Sequence, residues 1–248
     1  MSSGKPTQRK RKPTERDRRI LTHLGRLGIS YNEVIRHLFF GKVDPADVLQ
    51  RLLDNKWIES VATGEGNRKS YHLTAEGAKL LGLPEKPPGS RKAPEQELIL
   101  YFCCLSGTKR MPLTHEELVK LFDAAPVPEG THCLEMRGRR PRLYNMHVPG
   151  DGTPVREVAQ AAKRKRDVVL AEEAYRPWVS GRLYSVAILV EADDRADRIR
   201  EMLSKTEDLE GDPLTLNDAV VVERVPAIRN TLKEALDALQ TISKKRAS

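Results

Sequence analysis

The chain has 248 residues, a net charge of +8, 39% hydrophobic and 31% charged residues, and a mean hydropathy of −0.54. That is apolar enough to exclude a wholly disordered chain, and no run of about 18 apolar residues is present to span a membrane. The length suits one or two domains, and aromatics at 5% leave little for extended base-stacking platforms.

Residues 1–19 hold eight basic side chains and two acidic ones. Residues 1–13, with Arg9, Lys10, Arg11 and Lys12 between Pro6 and Pro13, read as a disordered basic arm. A basic arm on a nearly neutral body points to a polyanionic partner, nucleic acid first. A solubilising tail or a localisation signal is the plainer reading. No apolar segment follows the arm, so secretion is not indicated and a cytoplasmic location is expected.

Thr14-Glu15-Arg16-Asp17 reads as a helix N-cap with Asp17 at the box position, and Ile20, Leu21, Leu24 and Leu27 keep helical spacing up to Gly28. Ser30 reads as opening a second helix with Val34, Ile35 and Leu38 on one face. Asp44-Pro45 opens a third, with Val48, Leu49, Leu52 and Leu53 as its stripe. The period then changes. Trp57 to Val61 and Ser70 to Leu73 read as two strands around Gly64-Glu65-Gly66-Asn67, and Thr74 opens a fourth helix through Leu81.

Helix, helix, helix, hairpin, helix is the order of a winged helix. Val48 to Leu53 followed by Asn55-Lys56-Trp57-Ile58 resembles the end of a recognition helix. Tyr71-His72-Leu73-Thr74-Ala75-Glu76-Gly77-Ala78-Lys79-Leu80-Leu81 resembles the close of MarR-like, PadR-like and plasmid replication-relaxation domains. The resemblance covers residues 14–83 and implies a DNA-binding fold. Replication-relaxation proteins often pair such a domain with a nuclease-like domain of the PD-(D/E)XK type.

Residues 84–94 hold four prolines and a glycine and read as a linker. Beyond it, 95–240 reads as a small α/β domain and 241–248 as a basic tail, so the whole chain is expected to be α+β. Helices are expected at Glu97–Leu105, Thr114–Phe122, 154–175, Arg195–Ser204 and Ile228–Leu239. Strands are expected at 132–137, 142–148, Leu183–Val190 and Ala219–Val222. Two helices followed by a hairpin with a basic tip admit a second winged helix over 95–148. A degenerate PD-(D/E)XK-like fold is the other possibility.

The candidate DNA contacts follow from charge and position. The arm would supply sequence-independent affinity. Gln50, Arg51 and Asn55 on the third helix have the chemistry to read adenine and guanine edges, although Asp44 and Asp47 at its start would repel phosphate. Arg68 and Lys69 lie at the expected wing. Arg137, Arg139, Arg140 and Arg142 crowd a hairpin tip and suit phosphate clamping. Lys163 to Arg166 on a helix would spray around its axis.

Catalysis has a thinner basis. A metal-dependent nuclease needs two or three carboxylates on a strand pair and a lysine to orient water. Glu135-Met136-Arg137 and Glu191-Ala192-Asp193 lack that lysine, and Asp193, Asp194 and Asp197 fit a charged helix surface. Cys103, Cys104, Cys133, His132 and His147 have no CxxC or HxxxH spacing, and buried thiols are the default. No phosphate loop, dinucleotide fingerprint or nucleophile elbow occurs, so no cofactor, metal or small-molecule substrate is expected.

The expectation is a DNA-binding regulator of transcription or mobile-element replication, acting on double-stranded DNA. It is expected to be a homodimer through the second domain, with Leu232, Leu236 and Leu239 as the contact stripe. The alternatives are a nuclease or nuclease-associated subunit, and a winged-helix protein–protein adaptor.

Overall fold

The computed structural model describes residues 12–62, 69–83, 93–108, 110–122, 126–137 and 140–226. The chain divides into two compact units, residues 1–90 and 91–248, with the boundary inside the segment read as a linker. The fold is α+β, with one sheet in each unit.

The first unit opens with α1 (Glu15–Leu27). Thr14 and Asp17 form the expected reciprocal cap: Asp17 N–H donates to Thr14 Oγ1 at 3.2 Å and Thr14 N–H to Asp17 Oδ2 at 2.9 Å. Gly28 ends the helix at φ 78°, its N–H donating to Leu24 O at 2.8 Å. Ser30 does not open a helix. Ser30–Tyr31 form a short strand, β1, whose residues pair with Tyr71 and Ser70, and α2 (Asn32–Phe39) begins only after it. Ile29, Ser30 and Tyr31 are all buried, and the hairpin needs a third strand to cover its inner edge.

Then come α3 (Ala46–Asp54), β2 (Ile58–Ala62), β3 (Lys69–Leu73) and α4 (Ala75–Leu80), the sheet running β1-β3-β2, antiparallel throughout. Ile20, Leu21 and Leu24 of α1 meet Leu49 and Leu52 of α3, Trp57, and Leu73 in one core. Gly77 is required by close approach. A Cβ there would lie 2.1 Å from the carbonyl oxygen of Trp57, so only glycine lets α4 rest against the start of the hairpin.

The second unit runs α5 (Ala93–Cys104), β4 (Arg110–Pro112), α6 (His115–Leu121), β5 (Thr131–Arg137), β6 (Arg140–His147), α7 (Val155–Ala171), α8 (Arg176–Ser180), β7 (Tyr184–Val190), α9 (Asp193–Ser204) and β8 (Val220–Arg224). Its sheet order is β4-β5-β6-β7-β8; β5 is antiparallel to both neighbours, while β6, β7 and β8 are parallel. Every residue of β7 is buried, as its continuous apolar run requires of a central strand. One face of the sheet packs on α7 and α9 through Leu143, Tyr184, Val186 and Ile188. The other carries Tyr144, edge-on to Phe102 of α5 at 5.5 Å.

The 131–147 hairpin is therefore not a free wing. Its second strand is the middle strand of a five-stranded sheet, because Leu143 to His147 pair with Tyr184 to Ile188. The strand β4, not among the expected elements, is three residues long and ends in Pro112, which only an edge position tolerates. The opposite edge is blunted: Arg200 Nη2 donates to Val222 O at 2.9 Å, and Val220 N–H to Leu214 O at 2.9 Å. The stripe at Leu232, Leu236 and Leu239 lies outside the described residues.

Candidate nucleic-acid interface

Arg9, Lys10, Arg11, Arg68 and Arg139 lie outside the described residues. Lys12 is exposed just ahead of α1, and Lys69 is exposed at the start of β3.

The third helix presents less to DNA than its residue types promise. Arg51 Nη2 donates to Asp17 Oδ1 at 2.5 Å, so its charge neutralises a carboxylate that is 1% exposed. Asn55 Nδ2 donates to Arg51 O at 2.7 Å and closes the end of α3. Gln50 is exposed, with its amide donating to Asp54 Oδ1 at 2.9 Å. Asp44 Oδ1 accepts from Ala46 N–H at 3.0 Å in the turn just ahead of α3. The outward stripe of α3 is thus Asp47, Gln50 and Asp54.

Cations gather instead where α1 meets the end of α2. The Arg16 guanidinium sits 4.9 Å from the Phe40 ring centroid and that of Arg19 5.8 Å from Phe39. Arg36 Nη2 donates to Lys42 O at 3.2 Å on the same corner. The signal was in the sequence, as arginines three apart on α1 and a Phe-Phe pair ending α2, but it needed the α1–α2 packing to join them. His23, edge-on to Phe39 and 3.0 Å from Ser30 Oγ, is held down to about 4 by burial.

In the second unit the hairpin arginines part company. Arg140 is exposed and pairs across the hairpin with Arg137. Arg142 is not a phosphate clamp. It is buried, its Nε and Nη2 donating to Ser185 Oγ at 3.0 and 2.7 Å and its Nη1 to Asp218 Oδ2 at 3.2 Å. Residues 142–146 are all buried where β6 runs beside β7, and the acceptors for Arg142 come from Ser185 of β7 and from Asp218, in a turn where Asn217 and Asp218 are both at positive φ.

The basic run on α7 does spray around its axis. Lys163 pairs with Asp167 at 3.1 Å, Lys165 Nζ donates to Asn145 Oδ1 at 3.0 Å, and Arg166 lies 3.5 Å from buried Asp208; Arg164 alone of the four is exposed.

The carboxylates weighed for catalysis are placed apart. Glu135 Oε2 accepts from Arg110 Nε at 2.8 Å inside the unit. Asp193, Asp194 and Asp197 pair with Arg224, Arg198 and Arg200 at 2.9, 2.9 and 2.7 Å on the surface. Glu191 is exposed. Among the described residues, no three of His, Cys, Asp and Glu converge to hold a metal ion. Cys103 and Cys133 are buried free thiols, and that of Cys103 is pushed up by a hydrogen bond with Cys133 and by burial.

His132 and His147 are both held down to about 4, by burial first and then by the charge of Lys165. A cavity of about 220 Å³ opens at the amino ends of β7 and β8, between Arg166, Arg182, Tyr184, Asp208 and Asn217. Its cations and carboxylates are mixed, and no sequence motif announces it.

Comparison with protein-family models, curated proteins and solved structures finds no match to this chain. Among the described residues, no helix is long and apolar enough to cross a membrane.

Proposed function

We propose that the chain is a DNA-binding regulatory protein whose first unit is a winged helix and whose second unit mediates self-association or partner contact. The observation that carries this reading is the element order α1-β1-α2-α3-β2-β3-α4, with the three-stranded sheet ordered β1-β3-β2. The basic arm and the exposed arginines of α1 supply the charge that duplex DNA requires. Transcriptional control and control of mobile-element replication both fit.

Two other readings keep some support. The mixed sheet with helices on both faces is compatible with a degenerate nuclease-like fold, but the carboxylates such chemistry uses are engaged by Arg110 and by surface arginines. The acidic stripe of α3 favours a protein adaptor. One titration separates them. Full-length protein added to a fluorescent duplex across a salt series should bind, with log affinity falling linearly in log salt. Failure to bind at low salt overturns the proposal, and Mg²⁺-dependent cutting of the duplex moves it to the nuclease reading. Light scattering of the full chain tests self-association, with a monomer both free and DNA-bound as the contrary result.

A further inference from the structure

We infer that the first unit grips the phosphate backbone of duplex DNA with the α1–α2 corner, and that α3 faces away from it. The inference rests on the DNA-binding reading above and names its contact face.

Charge divides the unit in two. Residues 12–42 hold seven basic and three acidic side chains, and residues 43–62 hold two basic and four acidic. Of the two basic residues in the second stretch, Arg51 is committed to buried Asp17. Docking α3 against phosphate would place Asp47 and Asp54 beside like charge. It would also offer no free arginine to offset them.

The α1–α2 corner has the opposite character. Arg16, Arg19, Arg36 and Lys42 are all exposed, and none of them forms an ion pair among the described residues. Two half-buried rings hold the arginines in place: Arg16 over Phe40 and Arg19 over Phe39. A guanidinium held over a ring spends none of its N–H donors on that contact, so phosphate oxygens can accept from two of them at once. Such a head is already oriented, so less side-chain entropy is lost on binding than for a free lysine. Arg36, tied to Lys42 O at 3.2 Å, fixes the loop that carries Lys42. Lys12 precedes α1 from the same basic segment, which leads along the chain into Arg16 and Arg19 of the corner.

The test uses the full-length chain and a fluorescent duplex across a salt series. Arg16→Gln with Arg19→Gln should weaken binding about tenfold and lower the salt slope by about 2, one phosphate contact for each cation. Arg36→Gln with Lys42→Gln is a second route to the same loss that leaves α1 intact; melting curves matching wild type confirm that both variants fold. Asp47→Lys should change affinity less than about twofold, because the stripe it sits on is away from the duplex. The inference is overturned if both glutamine pairs bind as wild type does, or if Asp47→Lys tightens binding about tenfold. Tighter binding of double-stranded RNA than of the DNA duplex also overturns it. Wild-type protein that binds no duplex removes the DNA reading itself, a failure distinct from these.

Discussion

The two units bury very different chemistry. Among the described residues, the buried polar side chains of the first unit are Asp17, Ser30 and Ser70, and those of the second are Glu97, Arg110, His132, Glu135, Arg142, Asn145, Arg166, Ser185 and Asp208. One core is assembled from apolar stripes. The other is threaded by charged groups that must find each other. The first therefore tolerates local errors of packing, whereas the second depends on matched pairs whose separation leaves a charge in a dry interior.

The strongest test of that contrast is Glu135→Ala. Arg110 donates to Glu135 at 2.8 Å, to Phe102 O at 2.8 Å and to Ser106 Oγ at 2.6 Å, with its guanidinium 3.9 Å from the Phe102 ring centroid. Removing the carboxylate should cost about 3–5 kcal/mol, because the arginine stays buried without its counter-charge. Arg110→Met with Glu135→Leu should cost less than the single change, since neither charge then remains. The chain has two tryptophans, Trp57 in the first unit and Trp178 in the second. Urea unfolding followed by Trp178 in a Trp57→Phe background reads the second unit alone. A single variant that unfolds at the wild-type midpoint would show that the pair contributes nothing.

What could be read in advance follows the same division. In the first unit the apolar spacing, the Thr14–Asp17 box and Gly28 located α1 closely, since each is a local signal satisfied within one helix. The short strand at Ser30–Tyr31 has no local signal, because its pairing partners lie 40 residues on, at Ser70 and Tyr71. In the second unit β7 was legible from its unbroken apolar run, but Arg142 was not. A cluster of arginines looks alike whether it faces solvent or not. Only the register against β7 and the turn at Asp218 show that one of them points inward. Arg51 of the candidate site carries the same lesson: its partner Asp17 is 34 residues away, and only the packing of α1 on α3 joins them.

Acid should sharpen the comparison by a smaller amount. His23 is the depressed histidine of the first unit, while His132 and His147 are those of the second, each held down to about 4. All three are neutral when folded and take up protons near pH 6.5 when unfolded, so the unfolded chain binds more protons between those values. Their contribution is complete above about pH 6.5 and is lost as pH falls toward 4. Between pH 7.5 and 5.5 the first unit should lose about 1 kcal/mol and the second about 2. Urea midpoints read separately at Trp57 and Trp178 give both numbers, and equal losses in the two units would contradict the assignment.

The smallest effect asks whether the units differ in local structure as well as in burial. Each contains a reciprocal cap: Thr14 with Asp17 ahead of α1, and Thr114 with Glu117 ahead of α6. In both, the threonine oxygen accepts from the third residue's N–H at 3.2 Å, and the carboxylate accepts from the threonine N–H, at 2.9 Å in the first and 2.8 Å in the second. Thr14→Ala and Thr114→Ala should therefore each cost about 1 kcal/mol, read at Trp57 and Trp178 respectively. Asp17 also accepts from Arg51, so Thr14 shares its carboxylate with a tertiary contact. Its backbone N–H still holds Asp17 in the alanine variant, which should leave the ion pair in place and the two losses equal. A loss at Thr14 of more than about 2 kcal/mol would mean that the cap and the Asp17–Arg51 pair fail together. The two units would then differ in local grammar too, and the first core would be less independent of buried Asp17 than its apolar stripes imply.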